Sequence, residues 1–254
     1  MASLSQSLRV TSSILASSAR AWGGTNAFAP ARKQPEQPLV LYEFEACPYC
    51  RLLRESLTEM DLDAEIRPCP KGGQRFRPQV VSAGGKAQFP YLQDPNTGTA
   101  LYESADIIAY LAKTYAVKAP RRTPQFLRMA GSELASLLRG MRGFRARPSR
   151  APAQPLILYS FESSPFSRLV RERLCELELP YILKNTGKAE WKDMGPPQLR
   201  DKLSPNAPLV GSNRKALHTR AGKVQLPYLI DPNTGEEMFE SAAIIEYLER
   251  QYAA

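Results

Sequence analysis

Two cysteines at a spacing of three carry the clearest chemistry in the sequence. Cys47-Pro-Tyr-Cys50 follows an apolar run at residues 39–44 and opens a segment with helical spacing of apolar side chains. A thiol at a helix N-terminus faces the positive end of the helix dipole, which lowers the pKa of the thiol, and Arg51 adds positive potential. Cys50 lies one turn later, close enough to resolve a mixed disulfide on Cys47. The motif indicates a redox dithiol. The alternative is half of a metal site, but the sequence contains no second pair of this spacing.

The elements that must position this dithiol occur twice. Residues 38–57 and 155–174 are identical at twelve of twenty positions, and residues 86–116 and 223–253 at nineteen of thirty-one. The offset grows from 117 to 137, so the second copy carries about twenty extra residues within 184–217. Each copy is too long for a solenoid repeat. The chain is therefore a tandem duplication of one small domain, and the two halves are called copy 1 and copy 2 below.

Each copy predicts the element order βαβαββα. An apolar strand leads into a helix with proline in its first turn, where the missing N–H costs nothing. A second strand and a second helix follow. The Asp-Pro-Asn-Thr-Gly turns at 94–98 and 231–235 predict a hairpin, and a last amphipathic helix begins at Ser104 or Ser241. The first two strands are joined by a helix, so we expect them to be parallel in an α/β fold.

The net charge of +9 does not belong to the repeated units. Residues 38–116 sum to −2 and residues 155–254 to zero, whereas residues 1–37 sum to +3 and residues 117–154 to +8. Neither copy has a basic face with aromatic side chains for stacking, so nucleic acid is not expected as a partner. Apolar runs fall short of the roughly 18 residues that a membrane span needs. Four cysteines are too few for a disulfide-stapled scaffold.

The two basic segments have separate interpretations. Residues 1–37 are rich in serine and arginine and hold one acid, Glu36, which predicts a disordered transit peptide for the chloroplast, with the mitochondrion as the alternative. In residues 117–154, a helix start at Thr123-Pro124 precedes apolar residues at helical spacing with arginines largely elsewhere. This basic amphipathic helix predicts peripheral contact with an anionic membrane or an acidic protein, or a helix packed between the two domains.

A family resemblance rests on three motifs in order. Cys47-Pro-Tyr-Cys50, a proline at position 90 and the Glu103-Ser104 pair together resemble glutaredoxins and the N-terminal, thioredoxin-fold domain of glutathione S-transferases. With Arg67-Pro-Cys-Pro-Lys-Gly72 and the two Asp-Pro-Asn-Thr-Gly turns, the pattern resembles the tandem thioredoxin-fold proteins of plant and algal plastids. The resemblance implies two thioredoxin-like domains, at 38–116 and 155–254, joined by the helical linker.

The resemblance also implies a glutathione site in copy 1. Cys47 would be the nucleophile and Cys50 the resolving thiol. Pro90 would be cis beside the active-site loop, so that the backbone of Phe89 can pair with a peptide-like substrate.

The remaining predicted contacts surround this loop. Glu103 would accept from the ammonium of the γ-glutamyl group, and the Ser104 hydroxyl and the helix N-terminus would donate to its carboxylate. A simple helix cap is the alternative for Ser104. Tyr49 and Arg51 complete the predicted glutathione-binding set.

Copy 2 departs at the chemical positions. Ser164 and Ser167 replace the two cysteines, and serine cannot exchange disulfides. Pro227, Glu240 and Ser241 remain, so copy 2 is either a second ligand site or a degenerate structural domain.

Four functions follow from these residues. The first is a glutathione-linked thiol–disulfide oxidoreductase of the glutaredoxin type, with glutathione as co-substrate and protein disulfides or mixed disulfides as partners. The second is a non-catalytic redox adaptor that binds glutathione or protein. Glutathione conjugation and an iron–sulfur cluster held by Cys47 with glutathione are the further alternatives.

Overall fold

The computed structural model describes residues 2–28, 30–115, 125–190 and 209–254. Its strands are β1 (Leu39–Glu43), β2 (Ala64–Pro68), β3 (Tyr91–Asp94), β4 (Thr99–Tyr102), β5 (Leu156–Ser160), β6 (Tyr181–Asn185), β7 (Tyr228–Asp231) and β8 (Glu236–Phe239). Its helices are α1 (Ala2–Ala19), α2 (Pro48–Glu59), α3 (Arg77–Gly84), α4 (Ser104–Thr114), α5 (Gln125–Leu138), α6 (Pro165–Glu176), α7 (Ser212–Ala221) and α8 (Ser241–Tyr252).

Both copies have the predicted α/β order. β1 and β2 are parallel, as are β5 and β6, and each copy ends in an antiparallel hairpin and a helix. The Asp-Pro-Asn-Thr-Gly turns close these hairpins, with Gly98 and Gly235 at positive φ, a conformation in which glycine has no steric penalty. The predicted helix start at Thr123-Pro124 and most of the insertion in copy 2 lie outside the described residues.

The two copies share one sheet. Its eight strands run in the order β4-β3-β1-β2-β6-β5-β7-β8, so the copies meet where β2 pairs with β6. This central pair is antiparallel, with Ala64 opposite Leu183 and Ile66 opposite Tyr181. Pairing removes the open edge that each copy would otherwise present to solvent. Buried apolar side chains from both copies form one continuous core across the junction.

The helices that precede each copy are exchanged between the copies. α1 leads into copy 1 but packs against α6 of copy 2, and α5 leads into copy 2 but packs against α2 of copy 1. The two flanking helices also pack against each other. Residues 9–27 and 128–146 are identical at eight of nineteen positions at an offset of 119, so the duplicated unit includes the flanking helix.

The structure differs from the prediction of a disordered N-terminal segment. Residues 2–19 form α1, and Ser13, Ala16 and Ser17 are buried. The Ser13 hydroxyl donates to Pro165 O at 2.9 Å and the Ser17 hydroxyl to Ser163 O at 2.7 Å. Small residues let the helix approach closely, and their hydroxyls satisfy loop carbonyls. That the segment acts as a transit peptide stays a prediction.

The linker helix α5 buries a different face from the one that the sequence pattern indicates. Ser132, Ala135 and Ser136 are buried, whereas Leu134 and Leu137 are exposed. The Ser132 hydroxyl donates to Pro48 O at 2.9 Å and the Ser136 hydroxyl to Ala46 O at 2.8 Å. Close helix packing and buried hydroxyl–carbonyl bonds therefore outweigh the burial of the leucines. No helix in the described part of the chain has the length and apolarity to span a bilayer.

Candidate active site

Cys47 is the N-cap residue of α2. Its backbone is extended (φ −69°, ψ 121°), and its Sγ accepts a hydrogen bond from the Cys50 backbone N–H at 3.3 Å. Pro48 follows in the first turn, where no donor is lost. The Cys47 N–H donates to Phe44 O at 3.0 Å, which closes the loop between β1 and α2. The sulfur therefore points at the donor end of the helix.

The two thiols have opposite pKa shifts. Burial is the largest influence on Cys47 and opposes its ionisation, but hydrogen bonds from Cys50 and Tyr49 outweigh burial, and the pKa of Cys47 falls below its ordinary value. Burial raises the pKa of Cys50 well above its ordinary value, and the adjacent Cys47 raises it further. Both cysteines are free thiols. At neutral pH, Cys47 is the thiol suited to nucleophilic attack, and Cys50 is held as the protonated partner.

The cis proline lies beside this loop. The Phe89–Pro90 peptide is cis, and the Phe89 ring contacts the Phe44 ring edge-on with centroids 6.0 Å apart. The Phe144 ring, from the turn after α5, also contacts the Phe44 ring, with centroids 5.9 Å apart. Arg77 stacks over Phe89 at 4.8 Å. Phe44 thus links the cysteine loop, the cis-proline loop and the segment that follows α5.

Glu103 and Ser104 stand at the start of α4 in different environments. Glu103 occupies the N-cap position with φ 63°, an uncommon conformation for a residue with a side chain, and its carboxylate is exposed and accepts from the Gln88 amide. Ser104 is the first helical residue and is buried. Because Gln88 precedes Phe89, this hydrogen bond connects Glu103 to the cis-proline loop. Strained backbone of this kind is common at ligand sites.

Tyr49 and Arg51 separate in the structure. Tyr49 is 45% exposed at the tip of the cysteine loop, open to a ligand. Arg51 is buried between α2 and α5, where its Nη2 donates to the Ser136 hydroxyl at 3.1 Å. Its Nε and Nη1 have no hydrogen-bond partner among the described residues. Arg51 therefore faces the flanking helix, and glutathione would reach it only if α5 moved.

A buried ionic cluster beneath the site was missed at the sequence level. Arg54 bonds Glu43 of its own copy and Glu162 of copy 2, the latter at 2.8 Å. Reciprocally, Arg171 of copy 2 bonds Glu45 of copy 1 at 3.0 Å. Burial raises the pKa of Glu43 to about 7, although Arg54 opposes the rise. The charge of Glu43 acts to raise the pKa of both Cys47 and Cys50, so the cluster influences the dithiol.

Copy 2 reproduces the scaffold without the thiols. Ser164 is the N-cap of α6, and its Oγ accepts from the Ser167 N–H at 3.3 Å, the same distance as in copy 1. The Leu226–Pro227 peptide is cis, and Glu240 has φ 68° and accepts from the Gln225 amide. Ser241 is buried at the start of α8.

The lone cysteines have structural surroundings. Cys69 is buried in the cluster around α3, and burial raises its pKa above the ordinary value. Cys175 is buried in α6, where its Sγ lies 3.3 Å from the Glu45 N–H and 3.2 Å from Gly143 O. Among the described residues, no three His, Cys, Asp or Glu side chains gather as metal ligands would.

The family model described as "Glutathione S-transferase, N-terminal domain" matches residues 41–121 and 158–254. Similar solved structures include a Bombyx mori glutathione transferase, with 23% identity over 37% of this chain and 43% of that one (TM-score 0.31). A delta-class glutathione transferase of Nilaparvata lugens has 30% identity over 32% of this chain and 38% of that one (TM-score 0.27).

The chain thus spans less than half the length of these transferases. No curated protein matches the chain. The two matched segments begin within β1 and β5 and cover the rest of both βαβαββα units, including the helix N-termini that carry Cys47 and Ser164. On this match, the chain belongs to the family of the glutathione S-transferase N-terminal domain, a domain that it contains twice.

Proposed function

We propose that the protein is a glutathione-dependent thiol–disulfide oxidoreductase that acts through Cys47. The observation that carries this proposal is the geometry of the dithiol: Cys47 caps α2, its Sγ accepts from the Cys50 N–H at 3.3 Å, and Cys50 lies one helical turn on. The opposed directions of the two pKa shifts agree with this geometry. A lowered pKa makes Cys47 a thiolate more readily than an ordinary cysteine, and the raised pKa of Cys50 keeps that thiol protonated until a mixed disulfide forms. The substrates are mixed disulfides between glutathione and proteins.

The reaction needs two exchanges. The Cys47 thiolate attacks the glutathione sulfur of a mixed disulfide, forming a Cys47–glutathione disulfide and releasing the substrate thiolate, which takes up a proton. A second glutathione thiolate then attacks that disulfide, leaves as glutathione disulfide and regenerates the Cys47 thiolate. Alternatively, Cys50 loses its proton and displaces glutathione, which leaves an intramolecular disulfide between Cys47 and Cys50. In each case one disulfide is consumed and one is formed.

The surroundings of Cys47 suit a glutathione moiety. The Phe89 ring contacts Phe44, so the Phe89 backbone lies close to the cysteine loop, where an extended peptide can pair with it. The exposed Glu103 carboxylate can accept from the ligand's ammonium group, and the N-terminus of α4 can donate to its carboxylate. Tyr49, at the tip of the loop, is exposed and can contact the same ligand.

The test compares the full-length protein with matched serine variants in the two copies. Reduction of a glutathionylated peptide by glutathione is measured for the wild type, Cys47→Ser and Cys50→Ser, with Ser164→Ala as the control in copy 2. We expect turnover in the wild type and in Ser164→Ala, none in Cys47→Ser, and partial turnover in Cys50→Ser. A wild type without turnover would exclude the proposal and leave a non-catalytic adaptor.

A second candidate, glutathione conjugation, is favoured by the family match to a transferase domain. The N-terminus of α2 can stabilise the thiolate of a bound glutathione as well as it stabilises the thiolate of Cys47. Conjugation of glutathione to an aryl chloride separates the two functions. A transferase retains this activity in Cys47→Ser, since a serine hydroxyl can still donate to the glutathione sulfur, whereas an oxidoreductase shows no conjugation beyond the uncatalysed rate.

A further inference from the structure

The outer faces of the two flanking helices are unusually apolar. Thirteen large apolar side chains are exposed in the described part of the chain, and nine of them lie between residues 8 and 22 or between residues 127 and 141. Scattered exposed leucines are ordinary on a protein surface, but a contiguous apolar patch marks an interaction site. The inward faces of these helices are already occupied by copies 1 and 2, so this outward face remains available to a partner.

The nine side chains form one surface because the helices are antiparallel neighbours. Arg20 Nη1 donates to Arg128 O at 3.0 Å, and Arg139 Nη1 donates to Arg9 O at 2.8 Å, so the C-terminal end of α1 lies beside the first turn of α5 and the middle of α1 lies beside the C-terminal end of α5. Leu15 is then level with Leu134, midway between these contacts. We call this outward face of residues 8–22 and 127–141 the apolar ridge.

Three exposed positions of the ridge are apolar in both flanking helices, although most of the other aligned positions differ. At the offset of 119, Leu8 corresponds to Leu127, Leu15 to Leu134 and Trp22 to Met141. All six side chains are apolar and between 37% and 66% exposed. Eleven of the nineteen aligned positions around them differ. Exposed leucines contribute little to folding, so their presence on both helices points to a role outside the fold.

The charges around the apolar ridge indicate the chemical class of its binding partner. Residues 2–28 contain no acid, and Arg20 and Arg139 are engaged in buried ion pairs. Within residues 8–22 and 127–142 the remaining charges are Arg9, Arg128 and Arg142 against one acid, Glu133, and Glu176 of α6 lies near Arg142. A second copy of the chain would bring the same cations face to face. An anionic surface is complementary to them, and apolar side chains flanked by arginines suit the boundary between lipid headgroups and acyl chains.

We propose that the apolar ridge binds the surface of an anionic lipid bilayer, with Leu15 and Leu134 at the centre of the buried face. The helices would lie in the plane of the interface. This binding is independent of the oxidoreductase proposal, because it uses no residue of the Cys47 site.

The experiment measures co-sedimentation of the full-length protein with vesicles of phosphatidylcholine alone or mixed with phosphatidylglycerol. We expect binding to the mixed vesicles that weakens with salt, little binding to the neutral ones, and at least about a tenfold weaker partition for the Leu15→Gln/Leu134→Gln variant. Val81→Gln is the control, since Val81 is a similarly exposed apolar side chain on α3. Thermal unfolding of both variants checks that they fold.

A second readout needs no variant of the ridge. In a Trp191→Phe background, Trp22 is the sole tryptophan, and its fluorescence should shift to the blue and be quenched by brominated lipid only when anionic lipid is present. Equal binding to neutral vesicles, or no binding to either, would overturn the proposal. A dimer in sedimentation velocity that Leu15→Gln/Leu134→Gln abolishes, without vesicle binding, would overturn it in favour of a second copy.

Discussion

The N-termini of α2 and α6 have the same backbone and different chemistry. Cys47 and Ser164 both cap their helices, and each accepts from the N–H three residues on at 3.3 Å. Both copies keep the cis proline and the strained glutamate before the last helix. The scaffold therefore positions whichever atom stands at the cap, and the thiols of copy 1 alone turn that position into a redox site.

The difference extends beyond the thiols. Glu43, under the dithiol of copy 1, corresponds to Ser160, which accepts from Arg171 at 3.1 Å. Phe89 corresponds to Leu226, so the aromatic contact with the cysteine loop has no equivalent in copy 2. Copy 1 thus differs in the groups that tune and surround the nucleophile, whereas both copies keep the groups that hold the backbone.

The largest effect is expected from restoring a thiol to copy 2. In a Cys47→Ser/Cys50→Ser background, Ser164→Cys places a thiol at the cap of α6, and we expect it to react with iodoacetamide at pH 7 at least about tenfold faster than Cys175. That ratio corresponds to about one pKa unit. Peptide mass spectrometry measures the two rates. A thiol at position 164 that reacts no faster than Cys175 would show that the cap geometry does not activate sulfur in copy 2.

The next largest effect concerns the exchanged helices. Arg139 donates to both carboxylate oxygens of Glu172 at 2.7 and 2.6 Å, and Arg20 does the same with Glu55 at 2.8 and 2.7 Å. We expect Arg139→Met to lower the free energy of unfolding by about 3–5 kcal/mol, because it leaves a buried carboxylate without its partner. Arg139→Met/Glu172→Gln should recover much of the loss.

Chemical denaturation measures these free energies, and Arg20→Met is the matched variant in the other flanking helix. It should be milder, since Arg20 is the more exposed of the two arginines. An equal loss in the Arg139 single and double variants would contradict the explanation by an unpaired charge.

Glu43 should make the free energy of unfolding depend on pH. Its counterpart in copy 2, Ser160, has no ionisable group and cannot do so. Its folded pKa of about 7 lies above the ordinary 4.5, so the folded protein binds a proton that the unfolded chain releases. Stability from this group is therefore present below pH 4.5 and is lost as pH rises to about 7, by at most about 3 kcal/mol. Glu43→Gln removes this loss and should be stabilising relative to wild type at pH 8, as measured by urea unfolding between pH 5 and 8.

Glu162, in the same cluster, should change the stability with pH in the opposite direction to Glu43. Burial opposes its ionisation, but Arg171 and Arg54 outweigh burial and lower its pKa to about 2. Its stabilisation is present above pH 4.5 and is lost as pH falls towards 2. Glu162→Gln should therefore destabilise the protein at neutral pH. If both glutamine variants changed stability in the same direction at pH 8, the assignment of the neutral carboxyl to Glu43 would be wrong.

The sequence predicts the interior of each copy well because the interior is governed by local rules. The proline at the first helical turn, the hairpin turns and the apolar periodicity determine the elements, and the internal repeat supports each prediction twice. The placement of Arg51 could not be predicted in this way. Its position near the cysteine loop suggests a ligand contact, but the neighbour that buries it, Ser136, is 85 residues away in the chain.

The sequence predicts neither the helix α1 nor the buried face of α5, because the buried faces of these two helices are small and polar. A leucine pattern predicts the buried side of an amphipathic helix only when apolar burial determines the packing. In α1 and α5, serines at positions 13, 17, 132 and 136 bond loop carbonyls of the other copy instead. The offset of 119 between residues 9–27 and 128–146 was the available signal, because it marks the N-terminal segment as part of the duplicated unit.

The smallest predicted effect is a difference in stability between alanine variants of two serines, Ser136 and Ser17, at equivalent positions of the flanking helices. Ser136 accepts from Arg51 Nη2 at 3.1 Å while donating to Ala46 O, whereas Ser17 donates to Ser163 O without any bond from Arg168, which uses Ser13 instead. Ser136→Ala should therefore cost about 1.5–3 kcal/mol, since it leaves the buried Arg51 guanidinium without the one hydrogen bond that it makes among the described residues, and Ser17→Ala about 1 kcal/mol. Equilibrium urea unfolding measures both. Equal costs would mean that Arg51 finds another acceptor, and a larger cost for Ser17→Ala would reverse the assigned roles of the two flanking helices.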